Sequence, residues 1–387
     1  LARAARRSLD IQYYIWHGDL SGTLLLQAVH QAADRGVRVR MLLDDNGITG
    51  LDPVLAALDR HPNIEIRLFN PFVLRTPKML GYLAEFPRLN RRMHNKSFTA
   101  DNQATIIGGR NIGDEYFAAR DGDLFADLDV LAIGAVVSDV SHDFDRYWNC
   151  ASAWPATRVL PVVGIEQLEE LARRSGAVRA DPRAHTYVET VRSMPFISDM
   201  LDGSLPFIWA PVRMVSDDPA KVLDKARPGT SLSEQLQEAI GRPSREMGLV
   251  SAYFVPTAAG VDAFAALARE DIKVNVLTNA LESTDVAIVH AGYAKRRKAR
   301  IRAGVRLFEM RRPRADTGRK RRLPLGVGGS GARSVTGSIL RSSGSMLHAK
   351  TFTVDRQRLF IGSFQFPPRS VARHPQVALL LQNPGGA

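Results

Sequence analysis

Apolar and polar positions follow two periods along the chain. Residues 9–16 (LDIQYYIW) are rich in β-branched and aromatic side chains, as a strand is; residues 20–35 carry helical spacing; residues 37–43 form the short apolar run of a buried strand. The predicted unit is strand, helix, strand. The same order returns at 249–255 (LVSAYFV), 261–269 and 272–277 (IKVNVL), so the chain reads as duplicated. Each copy then reaches another short apolar strand, 64–69 (IEIRLF) in the first and 305–310 (VRLFEM) in the second.

Parallel strands joined by helical crossovers predict a sandwiched α/β/α sheet in each half, with ligands near the carboxyl ends of the strands. The two halves are expected to face each other across a pseudo-twofold. Residues 1–150 are assigned to the first half and 246–387 to the second. The intervening 151–245 has helical stretches at 164–174 and 231–240 and an apolar run at 205–215, and is read as a connecting insertion that packs and spaces.

A chain of 387 residues with 45% hydrophobic side chains can bury a large core. Its single cysteine, Cys150, forms no internal disulfide, and no Cys/His cluster has zinc-site spacing, so the core has to supply the stability without a structural metal. No run of eighteen apolar residues is present, so no segment is predicted to span a bilayer. The start at Leu1 points to a trimmed chain, whose absent N-terminus has room for an anchor or an address. A net charge of +12 favours anionic partners, phospholipid headgroups or nucleic acid, without choosing between them. Residues 311–345 concentrate that charge in RRPR and RKRR and then turn Gly/Ser-rich, the composition of a solvated surface loop.

The chemistry lies in a repeated pattern. His94 and Lys96 are followed by Asp101 and then Asn111; His348 and Lys350 are followed by Asp355 and then Gln365. In both copies the lysine comes two residues after the histidine, the aspartate seven after and the amide seventeen after. On a strand, residues two apart share a face, so each His and Lys can point at one phosphate. The aspartates lie an odd number of residues away and are read as turn or scaffold residues. His17, His30, His61, His142, His185, His290 and His374 have no such context and are read as ordinary core or surface histidines.

This constellation resembles the HxKxxxxD signature of the phospholipase D superfamily, through RRMHNKSFTAD, GGRNIGDEYF, SAYFVP, TDVAIVHAGY and LHAKTFTVD, so nearly the whole chain is covered. Within the superfamily it is similar to bacterial cardiolipin synthases, those of the C type in particular, with IQYYIWHGDLSG near the start. The resemblance implies two phospholipase D-like halves with one active site at their interface, and no cofactor or metal. A neutral imidazole attacks phosphorus to give a phosphohistidine, while a protonated second imidazole serves the leaving alkoxide. His94 is implied as the nucleophile and His348 as the acid and then base, an assignment that the sequence leaves reversible. Lys96, Lys350, Asn111 and Gln365 are implied around the phosphate.

Aligning the halves on the strand after each motif places Asp127 and Gln376 at the position of an orienting carboxylate. Gln376 carries no charge there, and is expected to support an imidazolium at His348 poorly. The second half also reads GSFQFPPRS where the family has GSFNFDPRS, placing Gln365 for Asn and Pro367 for Asp. The chain stops soon after Leu381 where relatives continue, so a terminal strand and helix are expected beyond it.

Residues 71–89 mix Phe72, Leu74, Met79, Leu80, Leu83 and Phe86 with Arg75, Lys78 and Arg88 directly ahead of the first motif, and form a candidate lipid-access segment. The leading expectation is transfer of a phosphatidyl group to a second phospholipid, making cardiolipin, by a peripheral protein of the bacterial inner membrane. A phosphodiesterase or nuclease uses the same chemistry, although no residue here reads a nucleobase. A catalytically impaired lipid-binding protein, suggested by Gln365, Pro367 and Gln376, belongs to another class. Oligomeric state is not legible.

Overall fold

The computed structural model describes residues 1–75, 85–119, 124–255, 258–283, 293–294, 297–299, 301–302, 304–311, 345–364 and 374–382. The first half contains β1 (Ser8–Tyr13), β2 (Arg38–Asp44), β3 (Ile64–Phe69), β4 (Ser97–Ala100), β5 (Ala104–Gly108), β6 (Leu124–Ala126), β7 (Asp129–Ile133) and β8 (Ala153–Pro155). All except β6 build one sheet in the order β7-β5-β4-β1-β2-β3-β8. β1, β2 and β3 run parallel, connected by the helices Leu20–Asp34 and Asp52–Leu58. Asp19 starts the first helix, its side chain accepting from Gly22 N, and so satisfies one donor that the first turn leaves open.

The second half repeats this plan. β9 (Val212–Ser216), β10 (Glu246–Ser251), β11 (Lys273–Asn279), β12 (Arg306–Met310), β13 (Ser345–Leu347), β14 (Lys350–Val354), β15 (Arg358–Gly362) and β16 (Val377–Gln382) follow in sequence. Except for β13, they form a sheet ordered β12-β11-β10-β14-β15-β16-β9. β10, β11 and β12 correspond to β1, β2 and β3, while β14, β15 and β16 correspond to β4, β5 and β7.

The sheets are mixed rather than wholly parallel. From β4 and from β14 onward the strands are antiparallel. The cause is local: Asp101 and Asn102, like Asp355 and Arg356, take positive φ angles of 52 to 58° and reverse the chain at once, so no helical crossover intervenes.

The segment between the motif-bearing halves does more than space them. β8 closes the β3 edge of the first sheet, and β9 closes the β16 edge of the second. Its helix Leu232–Ile240 opens with a Ser231/Glu234 capping box. Leu232, Leu236 and Ile240, four apart along one helical face, are buried in the second-half core.

Each half has its own core. Leu9, Ile11, Val39, Met41, Ile66 and Phe98 are buried in the first, and Leu249, Val274, Val276, Phe352 and Phe360 in the second. A third apolar cluster joins them, with Ile107, Val136 and Val140 from the first half packed on Val377 and Leu379 from the second. The strand ends at this seam carry the site.

Candidate active site

Both histidine motifs lie just ahead of a central strand rather than within it, with Lys350 as the first residue of β14 and His94 to Lys96 preceding β4. In each, the lysine folds back on its own turn. Lys96 Nζ donates to the His94 carbonyl at 2.6 Å and Lys350 Nζ to the His348 carbonyl at 2.5 Å. The residue before each histidine is tied to a neighbouring strand end. Asp44, ending β2, accepts from Met93 N at 2.9 Å, and Asn279, ending β11, accepts from Leu347 N at 2.9 Å.

The aspartates at the seven-residue interval are scaffold, as expected, and act from the turn that follows each strand. Asp101 accepts the backbone N–H groups of Arg6, Arg7 and Ser8 at 2.7 to 2.9 Å, stitching β4 to the approach to β1. Asp355 does the same for Ser244, Arg245 and Glu246 ahead of β10. The backbone bonds hold Asp355 down to about 2, outweighing its partial desolvation.

The orienting groups cross between the halves, which alignment within each copy had not shown. β6 pairs with β13 in parallel, so Asp127 of the first half meets His348 of the second: its Oδ2 is hydrogen-bonded to His348 Nδ1. His348 N donates to Ala126 O at 2.8 Å, and in the mirrored arrangement His94 N donates to Pro375 O at 2.9 Å. The segment ahead of Gln376 therefore runs past His94, and the expected weak support of His348 by Gln376 is corrected. His348 has a carboxylate, Asp127, and the backbone N–H of Gln376 donates to Asp217 Oδ2 at 3.0 Å. A repeat that exchanges its orienting segments across a twofold looks, in sequence, like one that keeps them.

The two half-sites act on each other electrostatically. Burial, then His374, Lys96, Lys350 and His348, hold the His94 imidazole well below its usual range and favour its neutral form. Burial and the Lys350 charge lower His348 to about 4, against the raising effect of Asp127. Burial would raise Asp127, but Lys350 and the bond to His348 outweigh it and leave the carboxyl at about 2. Lys96 is lowered to about 7, first by desolvation and then by Lys350, with Asp127, Asp129 and Asp44 opposing. Two buried ammonium groups, one of them depressed by the other, mark a place that an anion would stabilise.

Asn111 is buried close by, but its amide is partly used. Oδ1 accepts from Ile15 N at 3.2 Å and Nδ2 donates to the Tyr116 hydroxyl at 3.0 Å. An amide nitrogen has two N–H donors, so the bond to Tyr116 occupies one of them. Gln365 and Pro367 lie outside the described residues, as do 312–344 of the basic loop.

Two residues escaped the reading of the sequence. His374 stacks on His94 with centroids 4.8 Å apart, and Tyr14 stacks on it at 4.1 Å. Position was the available signal, because His374 stands two residues before Gln376 as Phe125 stands two before Asp127, and Phe125 packs on His348 at 5.0 Å. His30 and His61 gather around Asp34, but Asn63 N donates to His61 Nδ1, which leaves the proton of a neutral ring on the Nε2 that faces Asp34. That arrangement is a hydrogen-bonded pair rather than a set of ligand lone pairs.

Ahead of the first motif, Val73, Leu74 and Phe86 are half or more exposed, while Phe72 and Leu89 are buried. Arg75 pairs with Asp45 and Asp52, and Arg88 with Glu85, so these two cations are engaged within the protein. Residues 76–84 of this segment lie outside the described residues.

Duplicated α/β halves with one His-x-Lys motif each, joined by a carboxylate that crosses the seam, define the architecture of a phospholipase D-type enzyme. A family model described as "Cardiolipin synthase, PLD-like domain" matches residues 1–148 and 236–386, and the chain belongs to that family. It is 47% identical over 383 residues to cardiolipin synthase C of Escherichia coli K12, a match covering 99% of this chain and 78% of that protein. An uncharacterized protein of Helicobacter pylori 26695 is 31% identical over 394 residues, 100% of this chain and 74% of that one. Among solved structures, phosphatidylserine synthase of Haemophilus influenzae Rd KW20 superposes with a TM-score of 0.62 at 13% identity, covering 99% of this chain and 79% of that chain; the likeness is one of fold.

Proposed function

We propose that this protein is a phosphatidyltransferase that makes cardiolipin through a phosphohistidine, with phosphatidylglycerol as one substrate. The observation that carries the reading is the Asp127 to His348 bond across the seam, which draws both His-x-Lys motifs into one buried site.

The asymmetry of the half-sites favours His94 as the nucleophile. Its surroundings are aromatic and cationic, so its ring stays neutral and keeps the lone pair that attacks phosphorus. As the P–N bond forms and the bond from phosphorus to the headgroup oxygen breaks, His348 gives a proton to the leaving alkoxide. A carboxylate on Nδ1 suits His348 to that duty, since it stabilises the imidazolium. An anionic phosphodiester between the motifs offsets the charges of Lys96 and Lys350 that lower His348, and so favours its protonated form. In the second step neutral His348 takes the proton from the hydroxyl of another phospholipid, that oxygen attacks phosphorus, and the P–N bond breaks. Lys96, Lys350 and the remaining donor of Asn111 face the equatorial oxygens, and Gln365 is proposed for the equivalent place in the second half. Stabilising the transition-state charge in a dry site supplies much of the rate.

Val73, Leu74 and Phe86 form the proposed contact with a bacterial inner membrane, peripheral in character; no helix among the described residues is long and apolar enough to cross a membrane. The deciding experiment incubates purified protein with labelled phosphatidylglycerol, with and without phosphatidylethanolamine, and in parallel with single-stranded DNA. Cardiolipin as the labelled product is expected. Free phosphatidic acid alone, or cleaved DNA, overturns the transferase reading. Combining Gln365→Asn with Gln376→Glu tests whether the variant amides impair the enzyme, and a gain in turnover of several hundredfold would assign the native chain to lipid binding instead.

A further inference from the structure

The two histidines are held by different means, and the means used for His94 is unusual for a reacting imidazole. No carboxylate contact holds it among the described residues; rings do. Tyr14 stacks on His94 at a centroid distance of 4.1 Å with 23° between planes, and His374 at 4.8 Å with 26°. Two rings so near and so nearly parallel to a third cannot share one face of an imidazole without overlapping, so His94 lies between them. We propose that Tyr14 and His374 are positioning residues that clamp the His94 ring in its reactive plane and keep it unprotonated.

The clamp is itself anchored. Arg92 N donates to His374 Nδ1 at 3.0 Å, so the lone pair of that ring is committed to the segment leading into the first motif. The His374 carbonyl receives Lys221 Nζ at 3.4 Å, and Lys221 also pairs with buried Asp217 at 2.8 Å. The segment outside the two repeats thus reaches the His94 side of the site. Tyr14 follows the end of β1, and its ring also lies 5.2 Å from Lys96 Nζ, where a cation–π contact holds the ammonium near the imidazole.

A proton on His94 puts a cation in a buried site already facing Lys96, Lys350, His348 and His374, with Tyr14 on the other face. The stacked rings take the place of water that would otherwise solvate that cation, and burial with the surrounding positive charges outweighs the attraction of the Tyr14 face for it. Fixing the ring plane removes rotations that misdirect the nitrogen lone pair from phosphorus, and small misplacements at a reacting atom are costly. At His348, Asp127 performs the orientation by hydrogen bonding, with Tyr116 edge-on at 5.4 Å and Phe125 tilted at 5.0 Å rather than stacked. One imidazole is oriented by charge and the other by rings.

This inference rests on the phosphohistidine reading, so its test has one readout that needs no reaction. In the full chain with isotope-labelled histidine, the His94 ring is titrated by NMR in the wild type and in His374→Ala, His374→Phe and Tyr14→Leu. Its titration is expected to move to higher pH in His374→Ala and in Tyr14→Leu, with thermal unfolding showing an intact fold. On phosphatidylglycerol, His374→Ala is expected to lose about tenfold or more in kcat with little change in KM. His374→Phe, which restores a ring, is expected to recover most of that loss. An unmoved His94 titration in both His374→Ala and Tyr14→Leu overturns the clamp whatever the turnover. A shifted titration in a protein that forms no phosphohistidine keeps the clamp and overturns the reading on which it was built.

Discussion

The His94 and His348 sides of the site share a backbone and differ in chemistry. Each histidine follows a residue tied to a strand end, each lysine caps its own histidine carbonyl, and each histidine N–H crosses to the other half. Around that common frame, His348 faces Asp127 while His94 faces Tyr14 and His374. The difference teaches that duplication supplies geometry, and side chains then divide the labour. In the proposed mechanism a symmetric pair would need each imidazole to serve as nucleophile and acid alike, whereas a carboxylate at His348, with none in contact with His94 among the described residues, separates the two protonation states that the reaction needs at once.

The sharpest way to break the comparison is to delete each ring. His94→Ala and His348→Ala are each expected to lower turnover by roughly 10⁴-fold or more, and only His348→Ala retains the ability to trap labelled phosphate on the protein. Label trapped on His94→Ala but not on His348→Ala would reverse the roles. Next in size, Asp127→Asn is expected to cost about 10² to 10³-fold in kcat, because the amide preserves shape while removing the charge that favours the imidazolium. In that variant the fall in kcat at high pH moves to lower pH, since an acid without its carboxylate loses its proton sooner; a profile that stays in place would disconnect Asp127 from His348.

A smaller effect concerns Lys96, held at about 7. An ammonium with that value loses its charge as pH rises through about 7, so kcat/KM for the free enzyme is expected to fall by up to about tenfold per pH unit above it. The decline belongs in kcat/KM rather than kcat, because bound phosphate retains the proton. The smallest effect on chemistry comes from the scaffold. Asp355→Ala is expected to lower stability by about 1 to 3 kcal/mol, through backbone donors that lose their acceptor, with turnover per folded molecule kept. Asp355 is depressed to about 2 from its ordinary 3.8, so its contribution is complete above pH 4 and disappears as the pH falls toward 2. Denaturation curves of wild type and variant should converge there.

Much of this was legible in residue order. The strand at Ile64–Phe69 and the helix and strand elements that open each half follow from local periodicity; Asp101 and Asp355 are the scaffold residues expected, but because each sits in the tight turn that ends its strand rather than on the far face of a continuous one. The apolar run at 205–215 was visible, but its end, β9, became a strand of the second sheet only because β16 offered an open edge. Asn111 was found by spacing, yet its bond to Tyr116 depends on how a short helix packs. His374 looked ordinary because nothing in its neighbourhood along the chain announces that its ring will lie on another, 280 residues earlier.

By itself the sequence determined that one order of strands and helices occurs twice and that a His-x-Lys motif recurs at the same place in each copy, because periodicity and fixed intervals act over a few residues. Which copy's acid serves which histidine was decided only when the halves met: Asp127 and His348 are 221 residues apart, and their pairing depends on the seam of Ile107, Val136, Val140, Val377 and Leu379. Hydrophobic burial selects that seam without regard to chain distance, and the polar contacts at its end follow from it.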